Sequence, residues 1–296
     1  MSKHTNSKLE RAKQARNDEF YTFYENIHKE VKNYSPYLKN KRILCNCDDY
    51  RISNFYKYFK DYFTEYELKS VTAVSYSFSN LFIEPEPAYK AVYDGMNEYV
   101  EVLSGDGDYR SPEQLELLDM NDVVITNPPF SQLAHYSQLL ESHSSIDFLY
   151  LAPLHIIGGG GVTYKPTSRS RMGYVSEAMY FHNSNKPVYC VWITSLPTPN
   201  KIYRPFGVDT ADISKFNFYD NYPEILNIDS VKDIPLQYEG LMGVPIHATE
   251  YINPLDYEIL GNLYSKHSKP GNIEWNKRPR INGEQPFIRL IIKKKI

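Results

Sequence analysis

The tetrapeptide Asn127, Pro128, Pro129 and Phe130 has residue types that could activate the exocyclic amino group of adenine. The lone pair of that group is delocalised into the ring, so its nitrogen is a poor nucleophile. Two acceptors, the side-chain carbonyl of Asn127 and the backbone carbonyl of Pro128, would draw the nitrogen toward tetrahedral geometry. The prolines fix φ and remove competing N–H donors, and Phe130 offers a ring on which an extruded base can stack.

An ordinary turn after a strand is the alternative interpretation, because Asn and Pro are common turn residues. The segment 122–127 is a continuous apolar run of the kind found in parallel sheets. In an open α/β sheet, ligands bind beyond the carboxyl ends of the strands, which is where the tetrapeptide falls. Asn127 also precedes a proline, which biases its backbone to extended geometry. These features favour a catalytic site over a plain turn.

The elements that would position this site alternate between strand and helix, which predicts an α/β fold with a mainly parallel sheet. Apolar residues at helical spacing predict helices at 19–33 and 51–63. Ser111, Pro112 and Gln114 form a capping-box pattern that predicts a helix over 111–120. Strands are expected at 41–47, 70–77, 122–127, 147–154 and 188–196. Residues 155–187, with the glycine run Gly158–Gly161, and residues 265–287 lack periodicity and are predicted to be loops or a recognition surface.

The size of the chain is sufficient for a full hydrophobic core, as one large domain or one domain with a smaller appendage, and the sequence predicts no membrane span. The chain has 296 residues, and no apolar run reaches the length that crosses a bilayer. The polar, basic N-terminus is not a secretory signal, so a cytoplasmic location is expected. The three cysteines suit a reducing compartment, and without further His or Cys ligands at suitable spacing no metal site is predicted.

Positive charge is concentrated at the two ends of the chain. The net charge is −3, yet residues 1–16 hold five Lys or Arg against one Glu, and residues 266–296 hold nine against two. Basic ends on an acidic body are compatible with phosphate contacts from the termini, and equally with two solvated tails.

Several blocks in chain order resemble the EcoRI-type adenine-specific DNA methyltransferases. The resemblance runs from about Asn17 to Leu260, with a weaker match in the final strand, and is carried by NDEFYT (17–22), CNCDDYRISNFYKYF (45–59), GDGDYRS (105–111), VVITNPPFS (123–131), KDIPL (232–236) and GVPI (243–246). It implies a Rossmann-like, seven-stranded methyltransferase sheet with inserted and C-terminal recognition segments. It also implies S-adenosylmethionine as the methyl donor and double-stranded DNA as the substrate. On this basis we expect a catalytic domain over 17–264, a C-terminal segment over 265–296 and an N-terminal arm over 1–16.

The resemblance also implies roles for individual residues. Tyr21 and Thr22 are expected near the methionine end of the cofactor, as are Asn46, Cys47 and Asp48, with Asp48 accepting from the ammonium group. Asp108 and Tyr109 resemble the pair that receives the cofactor adenine. Alternatives remain: Asp48 or Asp49 could cap the next helix, and Asp106 is expected to shape its turn rather than contact ligand.

Three features depart from familiar patterns. No glycine-rich loop follows the first strand, although members of the family that the sequence resembles also lack glycine in this loop. No acidic residue closes the strand at 70–77, so the ribose contact is unassigned. The run Gly158–Gly161 lacks the Lys-Ser/Thr of a phosphate loop. The cations beside it, Lys165, Arg169 and Arg171, are candidate DNA contacts or part of a solvated loop.

The sequence thus predicts a site-specific adenine N6-methyltransferase acting on extruded adenine in duplex DNA, with Asn127 to Phe130 as the catalytic group. An enzyme that methylates adenine in RNA or glutamine in protein is one alternative, since related Asn-Pro-Pro-aromatic motifs serve both. A catalytically silent DNA-binding relative is the other. A monomer is expected. The DNA target is open, as is the choice between a partner of a cognate restriction endonuclease and a solitary or phage-borne enzyme.

Overall fold

The computed structural model describes residues 22–77, 86–157, 169–181, 186–253, 255–263 and 275–295. Tyr21, Lys165, the run Gly158–Gly161 and the arm 1–16 lie outside these residues. The chain divides into two compact units, each with its own sheet. The first comprises Met1–Ala152 and Gly173–Pro199, and the second Pro153–Met172 and Asn200–Ile296. Within the described residues no helix is long and apolar enough to cross a membrane.

A mixed sheet forms the centre of the first unit. Its strands within the described residues are β1 (Arg42–Cys45), β2 (Ser70–Val74), β3 (Tyr89–Tyr93), β4 (Glu98–Val102), β5 (Val123–Thr126), β6 (Asp147–Pro153), β7 (Arg171–Met179) and β8 (Val188–Thr194), in the order β4-β3-β2-β1-β5-β6-β8-β7. The four strands β2, β1, β5 and β6 pair in parallel. Their carboxyl ends therefore share one edge of the sheet, as the predicted α/β fold requires.

Helices flank the parallel strands: two precede β1, one lies between β1 and β2, one precedes β5 and one lies between β5 and β6. They are α1 (Tyr24–Val31), α2 (Ser35–Leu38), α3 (Asn54–Asp61), α4 (Pro112–Met120) and α5 (Leu133–Ser142), with single 3-10 turns at Lys32–Tyr34, Phe130–Gln132, Leu154–Ile157, Val231–Asp233 and Ile246–Glu250. Phe55 and Phe59 of α3 are buried, as their spacing predicts. The cap of α4 is also confirmed, because Ser111 Oγ accepts from Gln114 N at 3.3 Å. The reciprocal half of the capping box is absent: the Gln114 amide is buried without a hydrogen-bond partner among the described residues.

The described part of the sheet has eight strands, whereas seven were expected. An antiparallel hairpin, β3 and β4, extends the sheet beyond β2. The hairpin turns at Asp94, whose Oδ1 accepts from Met96 N and Asn97 N, with Gly95 at φ 97°. Its strands went unpredicted because β4 is exposed along its whole length and has no buried face to create a pattern.

Strand β7 corrects the prediction that all of 155–187 is irregular. It is the terminal strand of the sheet, and the buried carboxylate of Glu30 from α1 accepts from its backbone N–H groups at Tyr174 (2.9 Å) and Val175 (2.7 Å). The Tyr34 hydroxyl donates to the same carboxylate at 2.6 Å. A Cβ at Gly173 would lie 2.2 Å from Glu30 Oε1, so glycine permits this close approach. The residue pattern of 171–179 does not indicate this strand, because backbone N–H groups at its edge are bound by Glu30, which is distant in the sequence.

The second unit contains a smaller mixed sheet. Its described strands are β9 (Phe218–Tyr219), β10 (Tyr222–Asn227), β11 (Leu241–Pro245), β12 (Tyr257–Leu263) and β13 (Arg289–Lys294), in the order β12-β13-β11-β10-β9. Strand β13 pairs antiparallel with both β11 and β12. The compact units therefore differ from the expected division at residue 264, because the C-terminal strand completes a sheet with residues that precede that boundary.

Candidate active site

The loop that follows β1 meets the last residue of β5 at the carboxylate of Asp48. Its Oδ2 accepts from Thr126 Oγ1 at 2.6 Å, and its Oδ1 accepts from Ser53 Oγ at 2.7 Å. Ser53 caps α3 by accepting from Phe55 N and Tyr56 N, so neither Asp48 nor Asp49 is the cap. Asp49 instead holds its own loop by pairing with Arg51. Asp48 thus joins the end of β1 to the residue directly before Asn127.

Thr22 lies against the amide of Asn127. Asn127 Nδ2 donates to Thr22 Oγ1 at 3.2 Å, and the Thr22 carbonyl accepts from Asn54 Nδ2 at 2.8 Å. Because Nδ2 donates to Thr22, the carbonyl end of the Asn127 amide has a defined direction, and Oδ1 is shielded from solvent. Three segments that are far apart in sequence therefore fix one side-chain amide.

The rest of the tetrapeptide is rigid and partly open. Pro128 is buried and Pro129 is half-buried with φ −56° and ψ 124°, which leads into the 3-10 turn at Phe130–Gln132. The half-buried ring of Phe130 packs edge-on against Phe181, with ring centroids 6.0 Å apart. One side of Phe130 is thus supported by protein, as a stacking platform needs.

The amide of Asn46 is oriented by a tyrosine of α5. Tyr136 OH donates to Asn46 Oδ1 at 2.6 Å, and both side chains are buried. The opposite atom, Asn46 Nδ2, is buried and has no hydrogen-bond partner among the described residues. An unsatisfied buried N–H group costs about 1–3 kcal/mol. A donor held in this way at the carboxyl edge of the sheet fits the carboxylate of an amino-acid moiety, such as that of S-adenosylmethionine.

Cys47 follows Asn46 and does not have the properties of a nucleophile. Burial and the nearby carboxylate of Asp48 raise the pKa of its thiol well above the usual value. The thiol is therefore protonated at neutral pH, and thiolate chemistry is suppressed. Its Sγ lies 3.8 Å from Asn46 Oδ1. Cys47 therefore lies beside Asn46 as a neutral side chain and not as a nucleophile.

The segment 105–111 packs against the end of β2. Gly107 has φ 79°, and a Cβ there would lie 2.2 Å from the carbonyl oxygen of Ser75. Asp106 shapes this turn as expected, since its Oδ1 accepts from Asp108 N at 3.0 Å and its carbonyl accepts from Ser77 N at 2.7 Å.

Asp108 pairs with Arg110. Its Oδ1 accepts from Arg110 N (2.9 Å) and Nε (2.8 Å), and its Oδ2 accepts from the terminal guanidinium nitrogen. Hydrogen bonding to Arg110 lowers the pKa of Asp108, so the carboxylate is charged at neutral pH. Its expected contact with the cofactor adenine stays a prediction.

Tyr109 connects this segment with Asn46. It is buried, and burial raises its pKa to about 12. Its ring packs edge-on against Tyr136 with centroids 5.0 Å apart, and its hydroxyl lies 3.4 Å from His135 Nδ1. Tyr136 therefore lies between Tyr109 and Asn46, the two positions predicted to hold opposite ends of one cofactor.

Sequence reasoning missed the residues that fix the site: Ser53, Asn54, Thr126 and Tyr136. Ser53 could have been found, because Ser followed by an apolar helix is a capping pattern. Tyr136 carries no local signal, since aromatic residues in a helix usually indicate a core contact. Of the predicted DNA contacts, Arg169 is half-buried in the residues before β7, and Arg171 is the first residue of that strand rather than part of a loop.

Comparisons with known proteins were made against families, curated sequences and solved structures. The family model described as "Adenine-specific methyltransferase EcoRI" matches residues 8–167 and 167–295. The type II methyltransferase M.EcoRI of Escherichia coli is 32% identical over 98% of this chain and 97% of its own length. M.MgeORF184P of Mycoplasma genitalium is 32% identical over 96% and 98%, and M.MpnI of Mycoplasma pneumoniae is 28% identical over 96% and 97%. No solved structure matches the chain at a significant level.

Proposed function

This chain belongs to the EcoRI family of adenine-specific methyltransferases, which makes it a DNA adenine methyltransferase, and we propose that it methylates the exocyclic N6 amino group of an extruded adenine in double-stranded DNA. S-adenosylmethionine is the proposed methyl donor, since it supplies an electrophilic methyl group when bound. The relatives are named type II methyltransferases, and we propose a restriction-modification context for this chain, with the enzyme acting as a monomer.

The orientation of the Asn127 amide carries this proposal. With Nδ2 donating to Thr22, the carbonyl oxygen is the end that accepts from one N–H bond of the target amino group. The Pro128 carbonyl accepts from the other. Two fixed acceptors favour a tetrahedral nitrogen whose lone pair is no longer spread into the ring, and this stabilisation grows as the new bond forms.

Phe130 and Pro129 complete the catalytic group. The Phe130 ring, supported by Phe181, stacks on the extruded base and fixes the plane of its amino group. Pro129 sets the backbone so that Phe130 follows the acceptors directly. Holding the nitrogen and the methyl carbon in line supplies a large part of the rate.

Residues on the same edge of the sheet are proposed to bind the donor. Asn46 Nδ2 donates to the methionine carboxylate, and Asp48 accepts from the ammonium group, with Cys47 and Tyr21 beside them. Thr22 lies between this group and Asn127, so it aligns donor and acceptor. Asp108 and Tyr109 receive the adenine of the cofactor.

Two other functions predict different behaviour. An RNA or protein-glutamine methyltransferase would use the same four catalytic residues, so only its choice of substrate separates it from the proposed enzyme. The match over nearly the whole chain to type II methyltransferases favours DNA. A catalytically silent relative would bind DNA without transferring methyl, and the fixed Asn127 amide argues against it.

The test is methyl transfer by wild type and Asn127→Ala to duplex DNA, single-stranded RNA and protein, followed by analysis of the modified nucleoside. We expect N6-methyladenine in duplex DNA only. Asn127→Ala should lose about a hundredfold in rate, on the order of 3 kcal/mol, while its affinity for S-adenosylmethionine stays within a few-fold. Methylation of another substrate class, or a near-normal rate in the variant, would contradict the proposal.

A matched control lies at the other end of β5. Asn121 is a buried asparagine whose Nδ2 donates to the Leu117 carbonyl at 2.7 Å. Asn121→Ala removes a buried amide of the same kind before the strand begins. It should reduce stability and leave the turnover of the folded protein unchanged.

A further inference from the structure

A loop of the second unit carries three exposed cations on an unusually well-held backbone. Lys277, Arg278 and Arg280 are exposed, and we call residues 277–284 the arginine loop. The loop follows Trp275, which is buried in the core of that unit. The sequence alone classified these cations as part of a basic tail.

Three consecutive residues, the two of the β9–β10 turn and the first residue of β10, hold the first half of this loop. Tyr222 OH donates to the Lys277 carbonyl and accepts from Lys277 N, both at 2.8 Å. Asn221 Nδ2 donates to the Arg278 carbonyl, and Asn221 Oδ1 accepts from Arg280 N, both at 2.9 Å. Asp220 N donates to the Arg280 carbonyl at 2.7 Å. Every residue that carries a cation is therefore fixed through its backbone.

The second half of the arginine loop is a tight turn bound to the same residues. Asp220 Oδ1 accepts from Asn282 N at 3.2 Å, and Asp220 Oδ2 accepts from Gly283 N at 2.9 Å. Asn282 and Gly283 have φ of 50° and 78°, the left-handed values of an Asn-Gly hairpin turn. Arg280 also donates to the Gly283 carbonyl at 2.9 Å, which directs its guanidinium.

The two arginines are presented on the same side. Pro279 between them is buried, while Arg278 and Arg280 are exposed, as expected for an extended segment with one face on the protein. Positions two apart in an extended chain are separated by roughly 6.6 Å. Two base-pair steps of duplex DNA rise by about 6.8 Å. The side chains are thus spaced to address positions two base pairs apart.

We propose that the arginine loop reads base edges of duplex DNA, with the guanidinium groups of Arg278 and Arg280 donating to guanine O6 and N7 in the major groove. A phosphate contact needs positive charge and tolerates a mobile backbone, whereas base readout needs donors in a fixed register. The hydrogen bonds from Asp220, Asn221 and Tyr222 provide that register. This inference rests on the proposed function, since it assumes a DNA substrate.

The decisive variant is Arg278→Lys combined with Arg280→Lys. Lysine keeps the charge and removes the planar two-donor fork, so a phosphate contact survives and a bidentate base contact does not. Wild type and variant are used to select duplexes from a random DNA library, and their binding is measured at several salt concentrations. We expect the variant to lose about tenfold or more in discrimination against single-base changes at two positions, with an unchanged salt dependence. An unchanged selected sequence would overturn the proposal.

Two further variants make the result specific. Arg204→Lys alters an exposed arginine of the same unit outside the loop and should leave the selected sequence unchanged. Asn221→Ala keeps both arginines and removes two of the hydrogen bonds that hold the loop, so it should also broaden the selected sequence. If Asn221→Ala selects the same sequence as wild type does, the hydrogen bonds that hold the arginine loop have no role in recognition and the inference is wrong.

Binding selection separates this inference from the proposed function. A wild type that selects a sequence and methylates no adenine would refute methyl transfer alone. A wild type that methylates adenine while the lysine variant selects the same site would refute base readout by the arginine loop alone.

Discussion

The directions of two side-chain amides, half-buried Asn127 and buried Asn46, are central to the proposed binding at the carboxyl edge of the sheet. Each amide has one end held by a hydroxyl group, Thr22 for Asn127 and Tyr136 for Asn46. In the proposed function the first carbonyl accepts from the substrate amino group, and the second amide N–H group donates to the cofactor. Thr22 and Tyr136 are positioning residues. Removal of the Thr22 hydroxyl should affect methyl transfer, and removal of the Tyr136 hydroxyl should affect cofactor binding.

Replacement of Thr22 by valine tests the first amide. Valine keeps the volume and the branched shape and removes the acceptor for Asn127 Nδ2, so the amide can rotate away from its productive orientation. We expect the rate of methyl transfer to fall about tenfold, the loss that corresponds to about 1.4 kcal/mol. Affinity for S-adenosylmethionine, measured by calorimetry, should change little. A large rise in that dissociation constant with a normal rate would show that Thr22 contacts the cofactor instead.

Tyr136→Phe tests the second amide. Without the tyrosine hydroxyl, Asn46 Nδ2 is no longer fixed toward the cofactor carboxylate. Binding of S-adenosylhomocysteine should weaken about tenfold, whereas 5′-methylthioadenosine, which lacks the carboxylate, should bind as before. Tyr150→Phe is the matched control, since it removes a hydroxyl that donates to Ser137 Oγ at 3.0 Å in the same core. Equal weakening of both ligands would assign Tyr136 a purely structural role.

At the scale of elements, the site depends on short loops that touch strand ends. The turn at 105–108 approaches β2 so closely that Gly107 contacts the Ser75 carbonyl, and this places Asp108 and Tyr109. Glu30 acts similarly at the other side of the sheet, where it fixes the edge strand β7 to α1. The first contact fixes the segment that carries Asp108 and Tyr109, and the second fixes the edge of the sheet.

Gly107→Ala should be far more destabilising than Gly283→Ala. Both glycines have φ near 79°, so both substitutions place alanine in a left-handed conformation at a cost of about 1–2 kcal/mol. At Gly107 the Cβ would also collide with backbone 2.2 Å away, while at Gly283 nothing lies within 4 Å. Urea unfolding of the two variants compares strain with and without the clash. Equal losses of stability would mean that the turn at 105–108 does not pack as described.

At the scale of the whole molecule, a chain with a net charge of −3 has to bind DNA, which is a polyanion. Positively charged residues must therefore be concentrated where the DNA binds. Two groups are expected to have different roles: the arginine loop, which we propose discriminates sequence, and the basic residues of 1–16. For the second group we expect phosphate contacts that any duplex can satisfy.

Removal of residues 1–14 should weaken binding to preferred and random duplexes by the same factor. The segment contributes four cations, Lys3, Lys8, Arg11 and Lys13. The logarithm of the binding constant should depend less steeply on the logarithm of salt concentration, by roughly one unit for each lost contact. The set of methylated adenines should stay the same. A changed set of sites would assign sequence recognition to this arm.

Local pattern determined much of the fold. The apolar runs that become β1, β2, β5, β6 and β8 are visible in the sequence, as is the helical spacing of Phe55 and Phe59, because burial on a sheet or helix imposes a short period. The position of Asn127 at the end of β5 followed from the same argument. Family blocks added the chemistry, and the matching family confirms adenine-specific methylation.

Only the tertiary structure decided which side chains meet. Thr22 and Asn127 are 105 residues apart, Asn46 and Tyr136 are 90 apart, and Asp220 and Gly283 are 63 apart. Hydrogen bonds of this kind leave no period in the sequence, since they depend on how strand ends and loops are brought together. The same reason explains why β7 escaped prediction, and why the hydrogen bonds that hold the arginine loop were not foreseen within a segment predicted as a loop or recognition surface. Local pattern specifies the elements, whereas the directions of the Asn127 and Asn46 amides are specified by partners that are distant in the sequence.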